Sequence, residues 1–236
     1  MTPPLIEIAD VSKDYRGLRP LRIKALTIAG GESVALVGFD QPAAEVFVNL
    51  VTGATLPDAG RIAVFGRPTR EIADSDDWLS LVDRFGIVTD RAVLLEPLSV
   101  LQNLAMPFTL EIEPLDQASR ARAAALAREA GVDPAQWDAP VTSLDAAAKV
   151  RVRVARACAL DPPILVLEHA SASLGAADGE AVGADIRSIA ARRGAALVAM
   201  TADDRFARAV AARVLRWDPA SGQLAAPRGW FRGRLG

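Results

Sequence analysis

Hydrophobic residues in this chain alternate between short runs typical of strands and longer periodic stretches typical of helices. The first quarter has β-like runs at residues 5–8, Leu21–Ile28, Ser33–Val37 and 61–65. A helical stretch at residues 42–51 lies between the last two of these runs and stops at Gly53. This part of the chain is therefore predicted to be rich in strands around one helix.

The rest of the chain repeats strand and helix patterns. It has a short strand at 86–88 and an apolar stretch at 94–108. Helices are predicted at 117–130, 145–160, 179–193 and 205–213, and strands at 164–167, 195–200 and 214–217. Repeated strand–helix–strand units predict parallel strands joined by right-handed crossovers. Residues of about 90–160 are predicted to form a helical insertion in an α/β core.

Composition narrows the possible functions. The chain has 236 residues, of which 51% are hydrophobic and 24% charged, as is usual for a globular protein. A formal net charge of −2 gives no general attraction for nucleic acid, so we expect no nucleic-acid partner. The single cysteine, Cys158, lies in an apolar helical pattern and is predicted to be a buried core residue and not a reactive thiol.

The N-terminal residues and the lengths of the apolar runs indicate where in the cell the protein is expected. Residues 1–4 do not start a basic and then apolar segment, so no signal peptide is predicted. Apolar runs such as 195–200 are too short to span a bilayer, so we expect a soluble, cytoplasmic protein that reaches a membrane through a partner. Residues 227–234 combine basic and aromatic side chains, which fits either a frayed tail or a contact with a membrane surface or partner.

Several segments occur in a distinctive order. They are Gly-Glu-Ser-Val-Ala-Leu-Val-Gly at 31–38, Asn-Leu-Val-Thr-Gly at 49–53, Leu-Pro-Asp-Ala-Gly-Arg-Ile at 56–62, Leu-Leu-Glu-Pro-Leu-Ser-Val-Leu-Gln-Asn at 94–103, and the segments at 155–167 and 206–215. In this order and spacing they resemble the ATP-binding cassette of ABC transporters over essentially the whole chain.

The resemblance implies an α/β fold of the P-loop NTPase type. It consists of a mainly parallel sheet core, an N-terminal antiparallel β part and a helical subdomain at about 90–160. The cassette-like domain is expected over residues 1–224, followed by a basic and aromatic C-terminal tail at 225–236.

The segment at the family's P-loop has lost its phosphate-binding residues. A P-loop needs glycines whose backbone N–H groups wrap the phosphates, a Lys for the β- and γ-phosphates, and a hydroxyl for Mg²⁺. Only the first glycine, Gly38, is kept. The last glycine position holds Ala43, the Lys position holds Ala44, and the hydroxyl positions hold Glu45 and Val46. This degenerate ATP site is expected to bind ATP and Mg²⁺ weakly or not at all.

Two carboxylates, Asp40 and Glu45, flank the predicted start of the helix after Gly38. Acidic groups at a helix N-terminus complement the helix dipole, so helix capping accounts for them. The alternative is that one carboxylate takes the place of the missing phosphate. Both interpretations predict poor ATP binding.

The remaining motifs of the family are also altered. Asp90 stands at the Q-loop glutamine position, and the signature loop reads Leu144, Asp145, Ala146, Ala147, Ala148. The signature serine and both glycines are therefore missing. Asp145 is predicted to cap the following helix.

The catalytic positions are occupied by other residues. Glu168 stands at the position of the family's Mg²⁺-linked Asp, His169 at that of its catalytic Glu, and Ala202 at that of its switch His. No catalytic residue is therefore intact, and no metal ligand set is predicted. His169 is expected to be a satisfied structural histidine, the alternative being a general base near neutral pH.

One residue of a ligand site persists. Tyr15 stands where the family has an aromatic residue that stacks on adenine. Stacking contributes about 1–3 kcal/mol, which alone supports only an affinity weaker than millimolar. Plain packing of Tyr15 is the equal alternative.

These substitutions predict a noncatalytic cassette subunit, a pseudo-ATPase that docks on a membrane permease through the segment 94–108 and lies at the cytoplasmic side of the membrane. The family's head-to-tail dimers suggest a second cassette subunit, identical or different, as a further partner. Two alternatives stay open: a slow residual ATPase that uses Glu168 and His169, and a soluble adaptor that kept the fold.

Overall fold

The computed structural model describes residues 4–227, which form two β-sheets and a set of helices. The strands are β1 (Ile6–Lys13), β2 (Leu21–Ile28), β3 (Ser33–Val37), β4 (Ala59–Val64), β5 (Arg67–Pro68), β6 (Phe85–Val88), β7 (Ile164–Glu168), β8 (Ala196–Thr201), β9 (Arg213–Trp217) and β10 (Leu224–Ala225). The α-helices are α1 (Gln41–Val51), α2 (Ser75–Val82), α3 (Val100–Ala105), α4 (Gln117–Glu129), α5 (Ala146–Ala157), α6 (Ala176–Arg193) and α7 (Asp204–Val210). Short 3₁₀ turns occur at Thr69–Glu71, Pro134–Gln136 and Val141–Ser143.

The larger sheet has six strands in the order β10-β9-β3-β8-β7-β6. Its pairs are parallel, except that β10 runs antiparallel to β9. The smaller sheet, in the order β2-β1-β4-β5, is antiparallel throughout. The predicted α/β architecture, with a mainly parallel core and an N-terminal antiparallel part, is therefore confirmed.

The larger sheet separates two hydrophobic cores. Successive side chains of a strand point to opposite faces, so each central strand contributes to both. Val34 and Leu36 of β3 belong to the core shared with the antiparallel sheet and α1, whereas Ala35 and Val37 belong to the core shared with α3 to α7. A strand that is buried on both faces reads as a continuous apolar run, which explains the pattern at this position.

The predicted helical insertion contains α3, α4 and α5, which pack on one another and on β6 and α6. The helix predicted at 145–160 is shorter in the structure, since residues after Ala157 turn through the C-cap Cys158 toward β7. The helix predicted at 205–213 ends at Val210 because Ala211 is extended and β9 begins at Arg213. Both differences lie at helix ends, where side-chain periodicity carries little information.

Two helices depart from the sequence expectations. Helix α2 was not predicted, and it buries none of its residues fully. The side chain of Asp74 caps it by accepting from Asp77 N at 2.9 Å. Within the apolar stretch 94–108 only α3 is helical, and it begins at a reciprocal cap between Ser99 and Gln102.

The length and apolar character of the described helices bear on whether one of them could span a membrane. Among residues 4–227, no helix has the length and apolar character needed to cross a bilayer. The basic and aromatic segment predicted as a tail lies mostly outside the described residues.

Candidate functional site

The loop that follows β3 corresponds to the degenerate P-loop, and Gly38 is its first residue. Gly38 has φ +106°, a conformation that favours glycine, and a Cβ there would lie 3.1 Å from the carbonyl oxygen of Trp217. Asp40 then caps α1, since its carboxylate accepts a hydrogen bond from Ala43 N at 2.8 Å. Capping, as predicted from the sequence, therefore accounts for Asp40.

Phe39 anchors this loop to the protein interior. Its ring is buried, stacks on Trp217 with ring centroids 4.5 Å apart, and meets Phe47 edge-to-face at 5.9 Å. Aromatic pairs of this kind stabilise a fold beyond the area that they bury. The loop is thus held by packing, which the sequence analysis missed because both partners lie outside the motif.

The alanines at the former phosphate-binding positions are part of the core. Ala43 and Ala44 are fully buried in the core shared with the antiparallel sheet, and Val46 packs against it. None of the three carries a polar side-chain atom. The start of α1 therefore offers an incoming anion no positively charged side chain from these positions.

Four side chains form a connected group between α1, β7 and the loop after β6. We call Gln41, Glu45, Arg91 and Glu168 the Arg91 cluster. The Arg91 guanidinium pairs with Glu168 at 2.7 Å and with Glu45 at 2.6 Å. Gln41 Nε2 donates to the other oxygen of Glu168 at 2.5 Å. The structure thus joins two predicted site positions, Glu45 and Glu168, through an arginine.

Burial explains why this cluster forms. The Glu168 side chain is 0% exposed, while those of Arg91 and Glu45 are 43% and 44% exposed. An unpaired carboxylate in such a place would carry a large desolvation cost, so it requires a cation or several donors. Arg91 and Gln41 satisfy both of its oxygens from within the chain.

Sequence reasoning missed Arg91 and Gln41. The chain has only three lysines, Lys13, Lys24 and Lys149, and none lies near the P-loop-like segment in sequence. A buried Glu at the end of a core strand requires a positive partner. That requirement was the available signal, although it does not identify which arginine meets it.

Asp90, at the Q-loop position, lies outside the Arg91 cluster. Its carboxylate pairs with Arg153 of α5 at 3.0 Å and remains 63% exposed. Two consecutive residues, Asp90 and Arg91, therefore contact different parts of the molecule. The first contacts the helical insertion and the second contacts the core.

His169 has an unusual backbone and an unpaired ring nitrogen. Its φ is +48°, its N–H donates to Met200 O at 2.9 Å, and its carbonyl accepts from Ala172 N at 2.9 Å. Its Nε2 atom is buried and has no hydrogen-bond partner among residues 4–227. The expectation of a satisfied histidine therefore holds for the backbone but is wrong for Nε2.

The switch position adds no titratable side chain. Ala202 is exposed and lies beside a pair of buried hydroxyls, Ser171 and Thr201, whose oxygens are 3.0 Å apart. The following Asp203 caps α7 through Arg205 N and Phe206 N. Local structure and not ligand chemistry accounts for these contacts.

The signature-like segment is the start of α5. Leu144 is buried, and Asp145 caps the helix by accepting from Ala148 N at 2.7 Å, as predicted. Ala146, Ala147 and Ala148 form the first turn of this helix, and the last two pack in the core shared with the other helices. The segment therefore has the capping carboxylate of Asp145 where the family has a serine hydroxyl, and the methyl groups of Ala146 and Ala147 where it has glycines.

Tyr15 lies at the rim of an open cavity of about 540 Å³, which is also lined by Gly38, Asp40 and Trp217. Its side chain packs against the core shared with the antiparallel sheet, and a Cβ at Gly17 would lie 2.7 Å from the ring. Burial and, to a smaller extent, the charge of Asp40 raise the pKa of Tyr15. Tyr15 therefore packs against this core and also lines the cavity, so packing and stacking on a ligand both remain predictions.

The residues at this site do not fit a magnesium–triphosphate group. Glu45 replaces the hydroxyl that would face Mg²⁺, and the Glu168 carboxylate is already paired with Arg91 and Gln41. A cation would have to displace the Arg91 guanidinium to reach Glu168. Within residues 4–227, no group of three or more His, Cys, Asp or Glu side chains is placed to hold a metal ion.

Comparison with known proteins shows that the sequence of this chain is similar to those of ABC ATP-binding proteins. No family model matches it. It is 27% identical over 216 residues to the methionine import ATP-binding protein MetN of Brucella abortus (strain 2308), covering 91% of this chain and 58% of that protein. It is 31% identical over 179 residues to the macrolide export ATP-binding/permease protein MacB of Hyphomonas neptunium (strain ATCC 15444), covering 74% of this chain and 27% of that protein. The chain thus spans less than two thirds of the length of these relatives.

Solved structures give the same result for the fold. The ATP-binding cassette MJ0796, in a dimeric post-hydrolysis state bound to ADP and Pi, superposes with a TM-score of 0.73 at 21% identity over 93% of this chain and 96% of that one. The cbiO1 protein of Clostridium perfringens, part of the transporter complex cbiONQ, gives 0.74 at 19% identity over 94% and 87%. The resemblance to ABC ATP-binding cassettes is confirmed in sequence and in fold.

Proposed function

We propose that this chain is a noncatalytic cassette subunit of an ABC transporter, which docks on a membrane permease and does not itself turn over ATP. The observation that carries the proposal is the pairing of Arg91 with Glu45 and Glu168. The two positions that would serve Mg²⁺ in an active cassette are joined here by the protein's own guanidinium. An internal cation leaves no role for the nucleotide-bound metal.

The charges around the loop after β3 support poor nucleotide binding. Asp40, Glu45 and Glu168 contribute three carboxylates, against which Arg91 supplies one positive charge within the cluster. A triphosphate would meet net negative charge at a helix start that normally attracts anions. Loss of the P-loop Lys also removes charge-assisted hydrogen bonds of about 1.5–3 kcal/mol.

An exposed apolar surface supports the docking part of the proposal. Val93, Leu95, Met106 and Leu110 are exposed along the segment that precedes and follows α3, and Val93 is 64% accessible. Burial of exposed apolar side chains against a partner is favourable. This is the part of the chain that resembles the family's contact with its permease, and the relatives named above are import and export proteins.

Calorimetry tests the nucleotide part. Titration of the chain with Mg²⁺-ATP should give no saturable heat below about 1 mM, because Tyr15 stacking alone supports no tighter affinity. A variant with the family's residues restored, Ala43→Gly/Ala44→Lys/Glu45→Ser, tests whether the scaffold still permits binding. Micromolar affinity of the unmodified chain, with turnover abolished by His169→Ala, would establish the residual ATPase instead.

Co-purification tests the docking part. The chain should be recovered with a permease encoded beside it when the two are co-expressed, and Val93→Glu/Leu95→Glu should abolish recovery. Leu18→Glu is the matched control, since Leu18 is fully exposed in the loop between β1 and β2, outside the proposed surface. If the chain never associates with a permease, the transport part of the proposal fails.

A further inference from the structure

The segment 89–95 connects β6, an edge strand of the larger sheet, to the helical insertion that begins with α3. Arginines hold this segment on two sides. We propose that these contacts act as a clasp that fixes the helical insertion relative to the sheet, so that its position is the same with and without nucleotide. This inference rests on the geometry of the connecting segment and does not depend on the proposed docking to a permease.

One side of the clasp attaches the segment to the core. Arg91 reaches Glu168 at the end of β7 and Glu45 on α1, with N–O distances of 2.7 and 2.6 Å. Because the Glu168 carboxylate is buried, loss of Arg91 would leave it as a buried charge without a cation. The guanidinium also contacts Thr89 Oγ1 through Nε at 3.4 Å, within the segment itself.

The other side attaches the segment to α5. Arg156 donates to the carbonyl oxygens of Ala92 and Val93, at 2.5 and 2.9 Å. Arg153 pairs with Asp90 at 3.0 Å. Of the four consecutive residues at 90–93, Arg91 contacts the core and the other three contact α5.

Asn103 extends the attachment to the start of the insertion. Its side-chain oxygen accepts from Leu95 N at 2.7 Å, and its amide donates to the carbonyls of Leu95 and Ser99, each at 3.0 Å. Asn103 is fully buried, so each of these bonds replaces a contact with water. The side-chain hydrogen bonds of Asn103 thus tie the segment to α3.

Movement of the insertion against the sheet would have to break one side of the clasp. If the core side opened, Glu168 would be left buried with only Gln41. If the α5 side opened, the carbonyls of Ala92 and Val93 would lose their donors. A Mg²⁺-nucleotide does not offset the cost on the core side, since the Arg91 guanidinium already holds the Glu168 carboxylate.

Distance measurements between the two parts test the clasp. Spin labels at Thr27→Cys on β2 and Ala125→Cys on α4 lie at exposed positions, and the native Cys158 is buried and does not compete for label. Double electron–electron resonance should give one narrow distance distribution, unchanged by Mg²⁺-ATP. A second distance, or a shift on adding nucleotide, in the otherwise unmodified chain would overturn the proposal.

Variants of the clasp complete the test. Arg91→Ala and Arg156→Ala should each broaden the distribution and speed hydrogen exchange of the amides in 90–95 by about tenfold. Arg120→Ala is the control, because its partner Asp138 lies within the insertion. If circular dichroism shows that Arg91→Ala does not fold, Arg153→Gln provides the milder change on the α5 side. A folded variant whose distribution and exchange match the parent would overturn the clasp.

The outcomes separate this inference from the proposed function. Tight Mg²⁺-ATP binding with an unchanged distance distribution would contradict the proposed function and support the clasp. Absence of binding together with two distances would remove the clasp and leave the proposed function. The two experiments therefore fail independently.

Discussion

The guanidinium of Arg91 binds the carboxylate of Glu168 at 2.7 Å, although 77 residues separate them in the chain. Arg91 lies in a connecting segment and Glu168 at the buried end of a core strand. Their contact takes up the carboxylate that stands at the position of the family's Mg²⁺-linked Asp.

Removal of Arg91 should destabilise the native state. Arg91→Ala leaves the buried Glu168 carboxylate with Gln41 alone, so we expect a loss of about 1–3 kcal/mol in the free energy of unfolding. This range is below that of a fully buried pair because Arg91 is partly exposed. Urea denaturation followed by circular dichroism measures the change.

The exposed pair of Arg120 and Asp138 is the control for this measurement. Both side chains are largely accessible, so Arg120→Ala should leave the urea midpoint within experimental error. Equal midpoints for Arg91→Ala and the parent chain would mean that Glu168 does not depend on Arg91.

Charge and not shape should account for the coupling between Arg91 and Glu168. Glu168→Gln removes the buried charge but keeps the side-chain volume, so the double variant Arg91→Met/Glu168→Gln should be more stable than Arg91→Met alone. A double-mutant cycle should give a coupling of about 1–3 kcal/mol. A coupling near zero would show that the two side chains are adjacent without stabilising each other.

Asp40 should stabilise α1 through its capping bond. Asp40→Ala removes the acceptor for Ala43 N and should cost about 1 kcal/mol, whereas Asp40→Asn should cost only a few tenths because asparagine caps equally well. Thermal unfolding of the two variants checks this. If Asn were as destabilising as Ala, the negative charge of Asp40 would be its main contribution.

Cys158 should make stability depend on alkaline pH. Burial, offset in part by Arg193, raises the pKa of its thiol from 9.0 to about 11. Between these values the unfolded chain releases a proton that the native state retains, so the free energy of unfolding falls as pH rises. Full stabilisation is present below pH 9, and about 2 kcal/mol should be lost by about pH 10.5.

Comparison with Cys158→Ala isolates this effect. The variant lacks the thiol, so its urea midpoint should fall less between pH 8 and about pH 10.5 than that of the parent chain. The same burial predicts slow alkylation of Cys158 by iodoacetamide at pH 8. Rapid alkylation of the native protein would contradict both expectations.

Gly183 permits α6 and α7 to lie close together. A Cβ there would stand 3.1 Å from both Ala209 Cβ and Phe206 Cδ2, so Gly183→Val should force the helices apart and cost about 1–3 kcal/mol. The control is Gly30→Ala, where an added Cβ meets no atom within 4 Å. In chemical denaturation, Gly183→Val should have a clearly lower midpoint than Gly30→Ala. Similar midpoints would indicate that α7 can shift freely.

Local sequence determined much of the scaffold. The apolar run of β3 predicted a strand buried on both faces, and Asp40 and Asp145 predicted helix starts that the structure contains. The order of the segments from Gly31 to Leu215 predicted the cassette fold. The strand and helix-start signals are local because strand periodicity and capping involve residues only a few positions apart. Helix α2, which buries none of its residues fully, was not predicted.

Tertiary structure alone decided how the altered site is filled. The sequence identified Glu45 and Glu168 as misplaced carboxylates, but it did not connect them to Arg91 or place Phe39 against Trp217. Which cation reaches a buried acid depends on loop paths and side-chain directions that only the packed fold sets. For the same reason, the sequence could identify the missing phosphate ligands, whereas the structure alone revealed the internal ion pairs found in their place.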